Sequence, residues 1–156
     1  MWPYTVCEVE ALATPRGKLA SRVLAMPADT NPAGDIFGGW IMALMDASGA
    51  MAASEYAQCR VVTVAVTDMA FLQPVKVGDT VCCYAALGRI GRTSLTFHIE
   101  VWVLRGRGGR RKVTEAEFRF VCVDENGRPQ PPYSRPELPS ADDAEHGAAD
   151  HSAAAR

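Results

Sequence analysis

Between Ile36 and Ala53 the chain carries a single charged residue, Asp46, among apolar and small neighbours. On a helix, Asp46 would sit beside Met42, Ala43, Gly49 and Ala50, with Gly39 and Ala53 one turn further out. None of these is basic, and nearly all are small. A buried carboxylate is costly unless it is paired, hydrogen-bonded or functional. Space beside the group and no local countercharge would suit Asp46 to acid–base chemistry. The same pattern also fits a structural aspartate bonded to backbone or water, with the small residues serving close packing. The residues alone leave both readings open.

A second element precedes it. Ile36-Phe37-Gly38-Gly39 would put free backbone N–H groups at the positive end of a helix, with Asp35 placed to cap it. The two glycines let a ligand come close to the backbone, and such a site can polarise a carbonyl or hold an oxyanion. Gly38 and Asp46 lie eight residues apart, or about 12 Å along a helix axis. A base and an oxyanion hole acting on one carbonyl must both reach it. One helix does not bring them together, but two antiparallel helices at a dimer interface do.

The elements around these residues can be read from pattern. KLASRVLAM (18–26) is a short strand, and the Pro-, Asp- and Asn-rich PADTNPAGD that follows is a turn region. A helix is expected from just after Asp35 to about Ala57. RVVTVAVTDMAF (60–71), TVCCYAAL (80–87), TSLTFHIEVWVLR (93–105) and VTEAEFRFVCVD (113–124) read as strands. Between them lie a turn at Gly78-Asp79, an interruption at GRIGR (88–92) and a basic loop at 106–112. Leu95, Phe97, Ile99, Val101 and Val103 form one alternating face; Ala116, Phe118, Phe120 and Cys122 form another. The expected class is α+β, with one long apolar helix wrapped by a curved antiparallel sheet of about five to six strands. A helix apolar on nearly all sides must be covered nearly all round. The open edges of such a sheet favour dimerisation.

Bulk properties narrow the classes. The 156 residues suffice for one domain, and a net charge of -2 gives no general attraction to nucleic acid or anionic membranes. Residues 36–53 approach the length of a membrane span, but Asp46 near mid-bilayer and the many glycines and alanines argue against one. The five cysteines, Cys7, Cys59, Cys82, Cys83 and Cys122, have neither metal spacing nor an even count. They read as reduced thiols of a cytoplasmic protein. No basic region followed by an apolar one opens the chain, so no secretory signal is expected. Residues 1–17 form an extension, 18–128 the folded domain, and 129–156 a Pro- and acid-rich tail expected to be disordered. His146 and His151 lie in that tail. His98 is mid-strand among hydrophobes and is not assigned chemistry, and Cys82 and Cys83 are assigned to packing.

The segments AMPADTNPAGDIFGGWIMALMD and RVVTVAVTDMAFLQPVKVGDTVCCYAALGRIGRTSLTFHIEVWV, in that order, closely resemble the YciA-type acyl-CoA thioesterases of the hotdog-fold superfamily. The resemblance spans about residues 21–127. It implies hydrolysis of acyl-CoA to a free acid and CoA by a helix wrapped in a sheet, paired as homodimers and assembled as a trimer of dimers. It places the catalytic acid on Asp46 and a second polar position on Asp35. It places a CoA-contacting segment on Gly91, Arg92, Thr93 and Ser94, and a water-positioning role on Thr63. Phe37 stands where related enzymes often carry His, which fits the YciA branch. CoA enters as part of the substrate; no resident cofactor, metal, nucleic acid or membrane partner is implied. Arg92, with Arg89 nearby, is the best partner for CoA phosphates. The five basic residues within 105–112 are either a phosphate catcher or a solvated loop.

Two other functions compete. A hotdog dehydratase would need a well-placed His, which is missing. A non-catalytic acyl-CoA-binding hotdog protein would not need Asp46.

Overall fold

The alternation seen in the sequence becomes a five-stranded antiparallel sheet in the computed structural model, which describes residues 14–105 and 109–133. The elements are β1 (Lys18–Leu24), a single 3-10 turn (Pro27–Asp29), α1 (Gly38–Ala57), β2 (Arg60–Phe71), β3 (Thr80–Ile90), β4 (Ser94–Leu104) and β5 (Arg110–Val123). The strand order is β1-β3-β4-β5-β2, so β1 and β2 are the edges. Leu95, Phe97, Ile99, Val101 and Val103 on β4 and Ala116, Phe118, Phe120 and Cys122 on β5 are all buried, forming one core with Ile41, Met45 and Ala53 of α1. The α+β class and the helix-and-curved-sheet architecture are those expected.

The helix is covered less fully than its composition suggests. Ile41, Met45, Ser48, Gly49, Ala53 and Ala57 face the sheet and are buried. Met42 and Met51 on the opposite side are 41% and 55% exposed. One sheet on one side cannot enclose a cylinder, so half of this apolar helix is left open. Edge strand β2 is open as well, with Val62, Val64 and Val66 exposed.

Several boundaries differ from the sequence reading. β3 runs on to Ile90 through the expected interruption, because the break at Gly88 is a register shift between Leu87 and Arg89 and not an end. Residues 73–79 are loop, held by Asp79, whose buried carboxylate accepts two hydrogen bonds from Arg105 at 2.7 and 2.6 Å and one from the Lys76 amide. Lys112 bridges Glu100 and Glu115 at 3.1 and 2.6 Å. Arg105 and Lys112, at the two ends of the basic run 105–112, are therefore committed to ion pairs within the fold, and residues 106–108 lie outside the described residues.

The tail begins later than expected. Gln130 N donates to Cys122 O, and Tyr133 N donates to the helix-end carbonyl of Ala57, so the chain stays docked through Tyr133. The two tail histidines and the extension before residue 14 lie outside the described residues. Cys59 and Cys122 form a disulfide with Cα atoms 6.0 Å apart, which corrects the expectation of reduced thiols for this pair and removes its support for a cytoplasmic setting. Cysteine counting missed it because the partners, 63 residues apart, meet only when β5 turns Cys122 inward beneath the start of β2. Cys82 and Cys83 are free and buried, as packing residues would be. Among the described residues no helix is long and apolar enough to cross a membrane.

Candidate active site

Asp46 sits near the middle of α1, on the flank that turns toward edge strand β2. It is half-buried and not enclosed. Thr63 Oγ1, on β2, donates a hydrogen bond to Asp46 Oδ1 across 2.5 Å. Asp46 Oδ2 has no partner among the described residues. The hydroxyl fixes the carboxylate's orientation and leaves one oxygen to work on something else.

The small residues around Asp46 do two different things. Gly49, one turn on, is buried beneath the helix, where an added Cβ would lie 2.4 Å from Ile99 Cδ1 and 2.8 Å from Phe120 Cζ. Its smallness seats α1 on the sheet and opens no space beside the carboxylate. Gly39, Ala43 and Ala47 are exposed and give Asp46 its open side.

The helix start leaves two backbone amides without acceptors among the described residues. Neither Gly38 N nor Gly39 N has a hydrogen-bond acceptor among the described residues, whereas Trp40 N and Ile41 N already bond to Phe37 O. A Cβ on Gly39 would meet nothing within 4 Å, so a ligand can reach its amide. The helix cap is Phe37, with no side-chain cap bond. Asp35 therefore does not cap α1, as the sequence suggested. It bridges to Lys76 across the loop and forms an ion pair with that residue. The ammonium of Lys76 offers more than a helix amide, and Asp35 lies two residues before the cap position, Phe37.

The sheet register shows which candidates meet. Phe71 pairs with Thr114 at the end of the sheet beside Gly38, while Arg60 pairs with Val123 at the other end. Asp46 and Thr63 are together; Asp35, Gly38 and Gly39 share one end. Gly91, Arg92, Thr93 and Ser94 form the β3–β4 turn at the far end, where Gly91 N donates to Ser94 O and Cys122 N to Thr93 O. Arg92 is exposed there. Within one chain the turn and the helix start stand at opposite ends of α1, about 30 Å apart along its axis. His98 is remote from Asp46 by face: it lies 3.5 Å from Glu100 and 3.3 Å from Glu115 on the outer side of the sheet.

Asn31 is a residue the sequence reading passed over. Its Oδ1 accepts from Ala33 N and Asp35 N at 2.9 and 3.1 Å, closing the turn that leads into the helix. Its side-chain NH2 has no partner among the described residues. The signal was present in the sequence as an amide inside the turn region, but turn chemistry accounted for it.

With this geometry in place, the likenesses to known proteins are clear. A model of the thioesterase superfamily matches residues 33–109. The acyl-CoA thioester hydrolase YciA of Salmonella typhimurium is 56% identical over 122 residues, 76% of this chain and 92% of the relative. The crystal structure of the hexameric thioesterase y2039 from Yersinia pestis superposes with a TM-score of 0.75 at 55% identity, covering 78% of this chain and all of that one. An acyl-CoA hydrolase from Staphylococcus aureus, 27% identical with a TM-score of 0.69 over 76% of this chain and 72% of that one, was crystallised with coenzyme A as an alanine variant of the asparagine at its position 28. A second variant of that enzyme replaces the aspartate at its position 43. Those two positions are fifteen apart, as are Asn31 and Asp46 here.

Proposed function

The chain belongs to the thioesterase superfamily, and we propose that it hydrolyses acyl-CoA thioesters to a free acid and CoA, with Asp46 as general base. The observation that carries the residue assignment is the Thr63–Asp46 hydrogen bond, which orients one carboxylate oxygen and leaves the other free beside an open face. The thioester carbonyl accepts from the free amides of Gly38 and Gly39. Asp46 removes a proton from water as the water oxygen bonds to the carbonyl carbon. The carbonyl electrons move onto the oxygen held at the helix start. When they return, the C–S bond breaks, and the CoA thiolate leaves with the proton that Asp46 holds. The acid and CoA are the products, and no resident cofactor takes part.

The site is shared between two subunits. About 12 Å separates Gly38 from Asp46 along one helix, while the open side of α1 and the open edge of β2 call for a second copy. An antiparallel second helix would set the helix start of one protomer against Asp46 of its partner. It would also bring the partner's β3–β4 turn, with Gly91, Arg92, Thr93 and Ser94, toward the same end to receive CoA phosphates. Asn31, with its free NH2 beside the helix start, would position the carbonyl or the water. Asp35 would hold the entry loop through Lys76. A trimer of such dimers would make a hexamer, the state named for the Yersinia protein.

The test is release of free CoA from acyl-CoAs of increasing length by wild type and Asp46→Asn. Loss of the base should lower kcat by about 10²–10⁴ with substrate still bound. Unchanged turnover in the variant overturns the assignment. Tight binding with no turnover in either protein would make the chain a non-catalytic acyl-CoA-binding member of the fold. Direct attack by Asp46 through a mixed anhydride is read by the same protein in H2¹⁸O: when water attacks the aspartyl carbonyl and the bond from that carbon to the bridging oxygen breaks, a single turnover leaves label in the aspartate.

A further inference from the structure

The Cys59–Cys122 disulfide takes no part in the chemistry proposed above, yet it lies at the end of the fold that carries Arg92. Cys122 N donates to Thr93 O at 2.9 Å, so the β3–β4 turn hangs on the backbone of Cys122. Cys59, across the disulfide, is tied to the helix end: its carbonyl accepts from Ser54 Oγ at 2.8 Å. Cys122 O accepts from Gln130 N, and Tyr133 N donates to Ala57 O at the same end. One covalent bond therefore joins the last turn of α1, the start of β2, the end of β5 and, through one hydrogen bond, the turn at Gly91–Ser94. The two cysteines differ in access. Cys122 is fully buried, and Cys59, in the connection that enters edge strand β2, is partly exposed.

We propose that this disulfide is a redox latch on CoA binding: oxidised, it holds the Gly91–Ser94 turn in place for CoA, and reduced, it lets the turn move and weakens CoA binding. The proposal rests on the reading that this turn receives CoA. Two thiol sulfurs cannot stay as close as two bonded ones, and in a packed interior the backbone that carries them must shift. Cys122 passes that shift to Thr93. The turn then loses its preset form, and CoA must order it on binding. Thr63 pairs with Phe120, further along the ladder than Val61 with Cys122, so the Thr63–Asp46 bond lies beyond the disturbed end. The step itself is thiol–disulfide exchange with a dithiol. The dithiol's thiolate attacks Sγ of Cys59, the reachable sulfur, and the S–S bond breaks. Cys122 leaves as a thiolate and takes up a proton. The second thiol of the dithiol then displaces Cys59 Sγ, so the dithiol becomes a cyclic disulfide and the protein pair gains two electrons and two protons. A small-molecule disulfide reverses the exchange.

The experiment compares the full-length wild type, oxidised and then reduced with dithiothreitol, and Cys59→Ala in both buffers. Binding of desulfo-CoA, which has no thiol to exchange with the pair, is measured by calorimetry. Hydrolysis of octanoyl-CoA is followed by loss of the thioester absorbance. Reduction should raise the Kd for desulfo-CoA and the KM for octanoyl-CoA by about tenfold and leave kcat within about twofold, the pattern of lost uniform binding. Reoxidation should restore both. Cys59→Ala should show the weaker binding in either buffer. An equal Kd in oxidised and reduced wild type overturns the proposal, even if reduction lowers the thermal midpoint by roughly 10 °C, because a merely stabilising disulfide does that much. So does thiol titration that finds both cysteines free after oxidation. A response to reduction that persists in Cys59→Ala overturns it as well, since it then comes from other thiols. The oxidised and reduced wild type decide the matter if the variant does not fold. Wild-type protein that binds desulfo-CoA in this redox-dependent way but hydrolyses no acyl-CoA overturns the thioesterase reading and leaves the latch standing.

Discussion

Thr63 Oγ1 and Asp46 Oδ1 stand 2.5 Å apart, joining the edge strand of the sheet to the middle of the helix. The bond crosses between two elements that are otherwise open to solvent on that flank. A hydroxyl donating to a carboxylate is among the stronger hydrogen bonds in a protein. Here it selects one orientation for the side chain that the proposed chemistry depends on.

Replacing Thr63 by Val should therefore cost activity and leave the fold intact, since the position is exposed. A hydrogen bond to a charged group contributes roughly 1.5–3 kcal/mol, so kcat should fall about tenfold or more. Thr63→Ser should restore most of it. Equal rates for the Val and Ser variants would show that the hydroxyl does not position Asp46.

Gly49→Ala tests whether the small residues near Asp46 serve packing. The new methyl group would meet Ile99 and Phe120 at 2.4 and 2.8 Å. Overpacking of that kind costs about 1–3 kcal/mol, or roughly 2–4 °C in thermal midpoint per kcal/mol for a chain of this size. A midpoint unchanged by the substitution would mean that the helix can lift off the sheet without cost.

Gly49 also marks how far the sequence could be read. Local patterns carry the strands of a two-sided sheet, so β2, β4 and β5 were legible from alternation. The helix was legible from its unbroken apolar run, and Asp46 stands out in it because no neighbour neutralises it. The role of Gly49 was not, since smallness looks the same whether it makes room for a ligand or for Phe120. The sequence points to a cap at Asp35 because the competing partner, Lys76, lies across a loop that pairs only in the folded chain. The Cys59–Cys122 pairing was hidden for the same reason. Asn31 was passed over because turn formation explained its presence, although that uses only its oxygen.

Asn31→Asp separates those two uses. The variant keeps the oxygen that accepts from Ala33 and Asp35 and loses the NH2 donor. If the donor acts on the carbonyl or the water, kcat should fall by about 10²-fold, the usual cost of losing such a group, with the thermal midpoint held within a degree or two. A loss of stability without a specific loss of kcat would confine Asn31 to the turn.

Acid should unfold the protein through identifiable carboxylates. The hydrogen bonds from Arg105 hold Asp79 below the usual carboxylate range, and Lys112 does the same for Glu115. Burial pushes Glu100 up, but Trp102, the Arg16 amide and Lys112 outweigh it and leave the group lowered. Groups lowered in the folded state contribute stability that is complete above the unfolded carboxylate value of about 4 and is lost as pH falls through the folded values. Thermal midpoints taken from pH 7 downward should stay level to about pH 5 and drop below pH 4. Arg105→Ala should flatten that drop by removing the main cause of the Asp79 shift. An unchanged slope in the variant would assign the acid transition to other groups.

Co-expression of two crippled chains tests the shared site most directly. Asp46→Asn removes the base, and Gly39→Pro removes an amide from the helix start at a first-turn position that tolerates proline. Each variant alone should release CoA at a small fraction of the wild-type rate. Co-assembled at equal levels, half of the dimers are mixed and each holds one complete site, so activity should return to about a quarter of wild type. If mixed assemblies form and no activity returns, the carbonyl-binding amides and Asp46 do not meet across the subunit boundary, and the account of the site is wrong.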